Sequence, residues 1–204
     1  MSFLEWNSRG GAPATVQELV ILVQTYKPSL VFLCETRQSE DRVKNLRFCI
    51  GMRNCFHVKG EGSGGGIALY SLDGIEVEVL SFSKRHIDAY ISGGPYESKW
   101  RGTFVYGEPK ASDRHFMWDK LRVIKQHSTE PWLMIGDFNE AMWQEEHFSN
   151  SRRSERLMLD FREVLSHCDL HDIGFLGTPW TRDNKQRGVR NVKVRLDRAV
   201  ASPA

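Results

Sequence analysis

Residues 131–142 read PWLMIGDFNEAM, an apolar run of strand length that stops at Gly136 and at once presents a carboxylate, an aromatic, an amide and a second carboxylate. A run this apolar has to be covered on both sides, so the chain must build layers around it. "LVFLCE", Leu30 to Glu35, is a second run of the same kind, bounded by Ser29 and the polar "TRQSEDR". Between "FLEWN" and this run the spacing predicts a helix over 15–26. Thr15 and Glu18 form a capping box, Val16, Leu19, Val20 and Val23 share one face, and Pro28 stops it. The first third therefore opens strand, helix, strand.

A helix or irregular stretch follows near residues 40–50. "GEGSGGGIALYS" lacks the Gly-Lys-Ser/Thr ending of a phosphate-binding loop and leads into a strand, so a flexible hairpin connection is the reading it supports. "IEVEVLSF" and "HIDAYIS" alternate as strands of a half-exposed antiparallel sheet do, and "GTFVYGEP" is a strand ending in a turn at Gly107 and Pro109. Met117, Leu121 and Ile124 mark a helix with Asp113 as its cap, Trp132 to Ile135 a buried strand, and Leu157, Phe161, Val164, Leu165 and Cys168 another helix. "VKVRLDRAVAS" alternates weakly, as a strand. Many strands among widely spaced helices, without strict βαβ repetition, point to a layered α/β or α+β sandwich. At 204 residues the expectation is one domain.

Hydrophobic residues at 40% and charged residues at 26% are ordinary for a globular chain, and no apolar stretch reaches the roughly 18 to 20 residues a membrane helix needs. The N-terminus lacks the basic region and apolar core of a secretory signal. Cys34, Cys49, Cys55 and Cys168 show no CxxC spacing, which favours reduced thiols in a cytosolic or nuclear compartment. "HCDLH" spaces two histidines as some zinc sites do but has no matching cysteine pair, so zinc is disfavoured.

Side chains alternate across a strand, so Asp137 and Asn139 project the same way if the extended chain continues past Gly136. The competing reading is a strand-ending turn. Other polar residues also follow apolar or alternating runs: Asn7, Glu35, Tyr106 and Asp197. Each alone is a boundary residue; together they point to sheet ends converging on a polar site. Net charge is only +2, yet Arg182, Lys185, Arg187, Arg190, Lys193, Arg195 and Arg198 are opposed locally by Asp183 and Asp197 alone. That cluster is either a phosphate-binding surface or a solvated basic loop.

In this order, "EWNSRG", "FLCETR", "FVYGEP", "IGDFNE" and "VRLDRA" resemble the successive signatures of the endonuclease/exonuclease/phosphatase superfamily, in particular the apurinic-endonuclease-like domain of plant LINE-type (non-LTR) retrotransposons. The resemblance covers essentially the whole chain. It implies a DNase I-like, four-layer α/β/β/α sandwich of the α+β class and a phosphodiesterase that nicks DNA by water attack. Glu35 would be the main ligand of Mg2+, with Mn2+ as the alternative ion, and Asn7 would stand at the metal or its water shell. Asp137 would orient or deprotonate the attacking water, Asn139 and Tyr106 would hold the scissile phosphate, and Asp197 would orient an essential histidine. Trp180, Arg182, Arg187 and Arg190 are the expected substrate contacts. DNA is the expected partner of a monomer that uses no small-molecule cofactor and no membrane, in the nucleus or alternatively the cytoplasm.

Two departures stand beside the resemblance. Arg182 takes the place after Thr181 where relatives carry an aromatic. The family's closing Ser-Asp-His segment does not follow "VRLDRA", and none of the seven histidines lies in an Asp-His pair there. The expectation is a domain lacking its last strands, impaired by the roughly 10²- to 10⁴-fold that a missing acid-base group costs. The alternative is a noncatalytic remnant that binds nucleic acid through its basic C-terminal segment.

Overall fold

The computed structural model describes all residues except 62–64, 95, 128–129 and 204, together with the side chains of 96 and 97. The chain forms two compact units, residues 1–104 and 105–204.

The first unit contains β1 (Phe3–Asn7), α1 (Pro13–Tyr26), β2 (Leu30–Cys34), α2 (Glu40–Cys49), β3 (Asn54–Val58), β4 (Ile67–Ser71), β5 (Ile75–Ser83), β6 (His86–Gly93) and most of β7 (Tyr96–Tyr106). One sheet has the order β1-β2-β4-β3, with β1 and β2 parallel and the other pairs antiparallel. Every residue of β2 and β4, its inner strands, is buried, which explains why both read as unbroken apolar runs. Leu19 and Val23 of α1 and Val43 of α2 pack on Val31, Leu33, Ala68 and Tyr70, and the Tyr70 hydroxyl donates to the Val43 carbonyl at 2.8 Å.

Helix α1 begins two residues before the expected span of 15–26. Pro13 occupies a first-turn position, where its missing N–H leaves nothing unsatisfied, and no side chain caps the helix at Ala12. Thr15 and Glu18 lie inside the helix instead. Strands β7, β6 and β5 are neighbours in that order. β5 alternates between partly buried and exposed positions as expected, with Ile75 alone buried, but β6 is buried along most of its length, correcting the half-exposed reading. The polar residue that made it look amphipathic, Asp88, is 1% exposed and is held by a bidentate Arg101 at 2.9 and 2.6 Å and by the Thr103 hydroxyl at 2.7 Å. The glycine-rich stretch joins antiparallel β3 to β4. Its residues 62–64 lie outside those described, but the Gly65 and Gly66 carbonyls accept from Arg37 and Thr36, and a Cβ on Gly66 would collide with Thr36 Oγ1.

In the second unit the end of β7 is followed by α3 (Arg114–Lys125), β8 (Trp132–Asp137), β9 (His147–Phe148), α4 (Glu155–His167), β10 (His171–Asp172), β11 (Arg182–Asp183), β12 (Lys193–Val194) and β13 (Asp197–Ala201). Strand β13 pairs antiparallel with β8 and with β10, while β11, β12 and β9 form a small separate sheet. The core is aromatic: Trp118 of α3 stacks on Phe161 of α4 at 4.9 Å, and Phe138 meets the same ring at 5.2 Å. Met117, Leu121, Met134, Val164 and Val200 complete it. Asp113 does stand at the α3 N-cap, yet its carboxylate pairs with Lys110 at 3.2 Å and makes no cap hydrogen bond.

Leu33 is 1% exposed in the first core and Ile21 is 61% exposed on α1. Leu33→Ala is expected to lower unfolding free energy by about 2 to 5 kcal/mol and Ile21→Ala by no more than about 0.5 kcal/mol, read by urea denaturation.

Candidate active site

The strand ends of each unit gather its polar residues. In the first unit, parallel register sets Asn7, the last residue of β1, opposite Cys34, the last of β2, so Glu35 leaves the sheet beside Asn7. Glu35 adopts a left-handed backbone, φ 53°, which turns the chain sharply out of the strand. Ser8 secures the turn by donating both its N–H and its hydroxyl to the Cys34 carbonyl at 2.9 Å, and Gly10 N–H donates to the Glu35 carbonyl at 2.8 Å. Asn7 Oδ1 accepts from the Arg9 N–H at 3.1 Å, and Glu35 Oε2 accepts from Arg37 at 2.8 Å. The Glu35 side chain keeps 19% of its surface.

These are hard oxygen donors, one carboxylate and one amide. Among the described residues no three His, Cys, Asp or Glu side chains group so as to hold a metal. The pair offers two oxygens to a hard divalent ion, whose remaining positions water and substrate would have to fill.

In the second unit, antiparallel register places Asp137 of β8 directly opposite Asp197 of β13, so both carboxylates share a face. Tyr106, 5% exposed, ends β7. Strand β8 stops at Asp137, and the expected continuation of the extended chain does not occur. Asn139 takes φ 56°, and its N–H turns back to Asp137 Oδ1 at 2.8 Å. Asp137 and Asn139 therefore meet through a turn closed by the aspartate's own side chain, the reading that competed with strand alternation. Asn139 Nδ2 donates to the Gly107 carbonyl at 2.9 Å, and Gly107 N–H donates to the Asp137 carbonyl at 2.6 Å. A Cβ on Gly107 would overlap the Phe138 carbonyl, and one on Gly136, at φ 145°, would overlap the Val105 carbonyl.

Burial is the main influence on the Asp197 carboxyl and pushes its pKa up, opposed by a hydrogen bond from Thr181 and by the charges of Arg198 and Arg182. Thr181 also fixes the backbone there, its Oγ1 accepting from the N–H groups of Leu196 at 2.9 Å and Asp197 at 3.1 Å. A carboxyl that holds its proton more tightly, facing a second carboxylate, is a pair able to take and return a proton.

The basic cluster divides. Arg182, Arg187 and Arg190 are exposed on a hairpin that orders itself: Asn184 Nδ2 donates to the Arg190 carbonyl at 2.9 Å and Asn191 Nδ2 to Asp183 at 3.0 Å. Trp180 is half-buried, with Lys193 over its ring at 5.4 Å. Arg195 and Arg198 do not belong to any phosphate-facing surface. They are 7% and 5% exposed and are paired with Glu146 and Asp172, Arg198 at 2.7 Å to each. Burial works against the Asp172 charge, but the Arg195 hydrogen bond, the Gly174 N–H and Arg198 hold its pKa below the ordinary value. Sequence reasoning missed Thr181, Gly107 and Glu140. The last stood in plain view as a carboxylate directly after Asn139, with no polar loop around it.

The pattern of the Endonuclease/Exonuclease/phosphatase family matches residues 4–204, and the chain belongs to that family. No curated protein matches it by sequence. Among solved structures it is similar to an AP endonuclease from Archaeoglobus fulgidus, with 15% identity and a TM-score of 0.77 over 100% of this chain and 87% of that one. The endonuclease domain of TRAS1, a telomere-specific non-LTR retrotransposon, gives 17% identity and a TM-score of 0.69 over 98% and 84%. A 3′ phosphatase from Neisseria bound to product DNA hairpin gives 18% identity and 0.75 over 100% and 87%. At these identities the likeness shows the fold, a DNase I-like, mixed α+β sandwich of several sheets and few helices.

A raised carboxyl pKa means that the folded state favours the protonated form. This contribution is neutral below the ordinary carboxylate range, and it destabilises the fold progressively as pH rises from that range toward the raised folded value. Asp197→Asn is therefore expected to melt higher than wild type at pH 7, with the advantage disappearing below about pH 4. Thermal denaturation across that range reads the difference.

Proposed function

We propose that the chain is a divalent-metal-dependent phosphodiesterase that nicks DNA, of the kind carried by LINE-type retroelements. The observation that supports it most is the register of the strand ends, which sets Asn7 beside Glu35 and Asp137 opposite Asp197. The family is generally dependent on a divalent metal, and the Asn7 amide and Glu35 carboxylate are the donors this chain would offer one. When bound, such an ion offsets charge on a phosphate oxygen and lowers the pKa of coordinated water.

Each of the chain's own residues has a task matched to its chemistry. Asp137 takes the proton of the attacking water, whose oxygen forms the new bond to phosphorus while the bond to the leaving sugar oxygen breaks. Asp137 is kept in one orientation by the Asn139 N–H on Oδ1. One Nδ2 hydrogen of Asn139 is used by Gly107, which fixes the amide plane, and the second remains for a phosphoryl oxygen. Tyr106 supplies a further hydroxyl to the phosphate. The leaving oxygen takes its proton from solvent water, and Asp197, with its raised proton affinity, accepts the proton that Asp137 removed and returns it to solvent. Arg182, Arg187 and Arg190 meet the DNA backbone as exposed cations, an interaction that weakens steeply with salt.

Supercoiled plasmid incubated with the chain and Mg2+ is expected to convert to the nicked form. Glu35→Ala and Asp137→Asn are expected to slow the conversion about 10²- to 10⁴-fold, while chelation abolishes it. Salt-sensitive DNA binding without nicking would replace this reading with a noncatalytic nucleic-acid binder. Release of inorganic phosphate from a 3′-phosphorylated oligonucleotide without nicking would replace it with a phosphatase.

A further inference from the structure

Glu140 is completely buried, and its carboxylate sits between two guanidiniums, with Arg114 on Oε2 and Arg153 on Oε1. The Ala141 N–H donates to Oε1 as well, at 3.1 Å. A buried carboxylate needs such partners simply to be tolerated. What distinguishes this one is where the remaining guanidinium hydrogens go. Arg153 Nη2 donates to the carbonyl of Asn139 at 3.1 Å. Arg114 donates from Nε to the Glu108 carbonyl and from Nη2 to the Pro109 carbonyl, each at 3.0 Å.

Both arginines thus use one carboxylate as a fixed point from which to hold the two turns that meet at Asn139. With Arg153 in place, the N–H, the side-chain amide and the carbonyl of Asn139 all have partners: Asp137 Oδ1, the Gly107 carbonyl and Arg153. Asn139 stands in the left-handed region, where a residue other than glycine persists only if its surroundings hold it. Gly107, which orients the Asn139 amide, is followed at once by the two carbonyls that Arg114 grips.

We propose that Glu140 is a positioning residue of the hydrolytic machinery, acting through Arg153 and Arg114 to fix Asn139 and the turn at 107–109. This rests on the phosphodiesterase reading above and adds to it a set of residues that act on the site only through other residues.

Glu140→Gln strips the charge from between two buried arginines and is liable to unfold the protein, so the deciding variants are at Arg153, whose side chain is 18% exposed. In Arg153→Gln, Glu140 keeps Arg114. Nicking kinetics per folded molecule, taken well below the melting temperature, are expected to show kcat reduced about 10- to 100-fold with KM essentially unchanged. Arg153→Lys is expected to recover melting temperature without recovering kcat, because an ammonium cannot replace the fork that spans Glu140 and the Asn139 carbonyl. Arg122→Gln, which breaks the exposed pair with Asp119 on α3, is expected to leave both constants at wild-type values. Wild-type kcat in Arg153→Gln, or full recovery of kcat in Arg153→Lys, would overturn the proposal while leaving the nuclease reading intact. A wild-type chain unable to nick would remove the nuclease reading and the positioning role together.

Discussion

The second unit depends on how closely three backbone segments approach one another at the end of β8. Gly107 donates to the Asp137 carbonyl at 2.6 Å, the Phe138 N–H reaches the Leu196 carbonyl at 2.9 Å, and Gly136 passes under the Val105 carbonyl with no room for a side chain. Main-chain hydrogen bonds of this kind leave little slack, so the functional groups attached to these segments inherit their placement from the sheet. Asp137 and Asp197 face each other because β8 and β13 are in register, and Asn139 points as it does because Gly107 is close enough to be its acceptor. The first unit applies the same logic with a parallel pair, in which Asn7 and Glu35 owe their adjacency to β1 and β2.

Much of this was legible in the sequence wherever one segment alone carried the information. The run at 30–34, buried throughout, the strand at 132–137, in which Leu133 and Ile135 are only partly buried, the helices with a clean apolar face and the polar residues at strand ends follow from period, length and boundary. What escaped depended on partners far along the chain. Arg195 and Arg198 look like members of a basic loop until Glu146 and Asp172 are brought to them from 49 and 23 residues away for Arg195, and 52 and 26 for Arg198. β6 looks amphipathic until Arg101 neutralises Asp88. The capping box at Thr15 was a sound local signal that Pro13 superseded, since a proline already preset for the first turn lets a helix start without a side-chain cap.

The second unit's buried charges follow a single pattern. Glu140 with Arg114 and Arg153, and Glu146 and Asp172 with Arg195 and Arg198, are clusters in which guanidiniums reach both carboxylates and backbone carbonyls. An apolar core could fill the same volume, but it offers nothing to the exposed carbonyls of short connecting turns. Arginine does both, and its rigid fork converts one buried carboxylate into a reference point for several loops.

Strand β5 is the outermost of its row, and an outer strand presents unpaired N–H and C=O groups along its free side. Here the pairing with β6 is broken by an irregularity between Val79 and Ser81, and Glu76 and Glu78 project from it into solvent. A bulge bends the strand away from the flat geometry that another chain would need for docking, whereas the charge of Glu78 is already met by Lys99 at 2.8 Å and Leu80 and Phe82 stand exposed on the same strand. The irregularity, more than the charges, is therefore what sets that margin apart from a flat strand open to stacking.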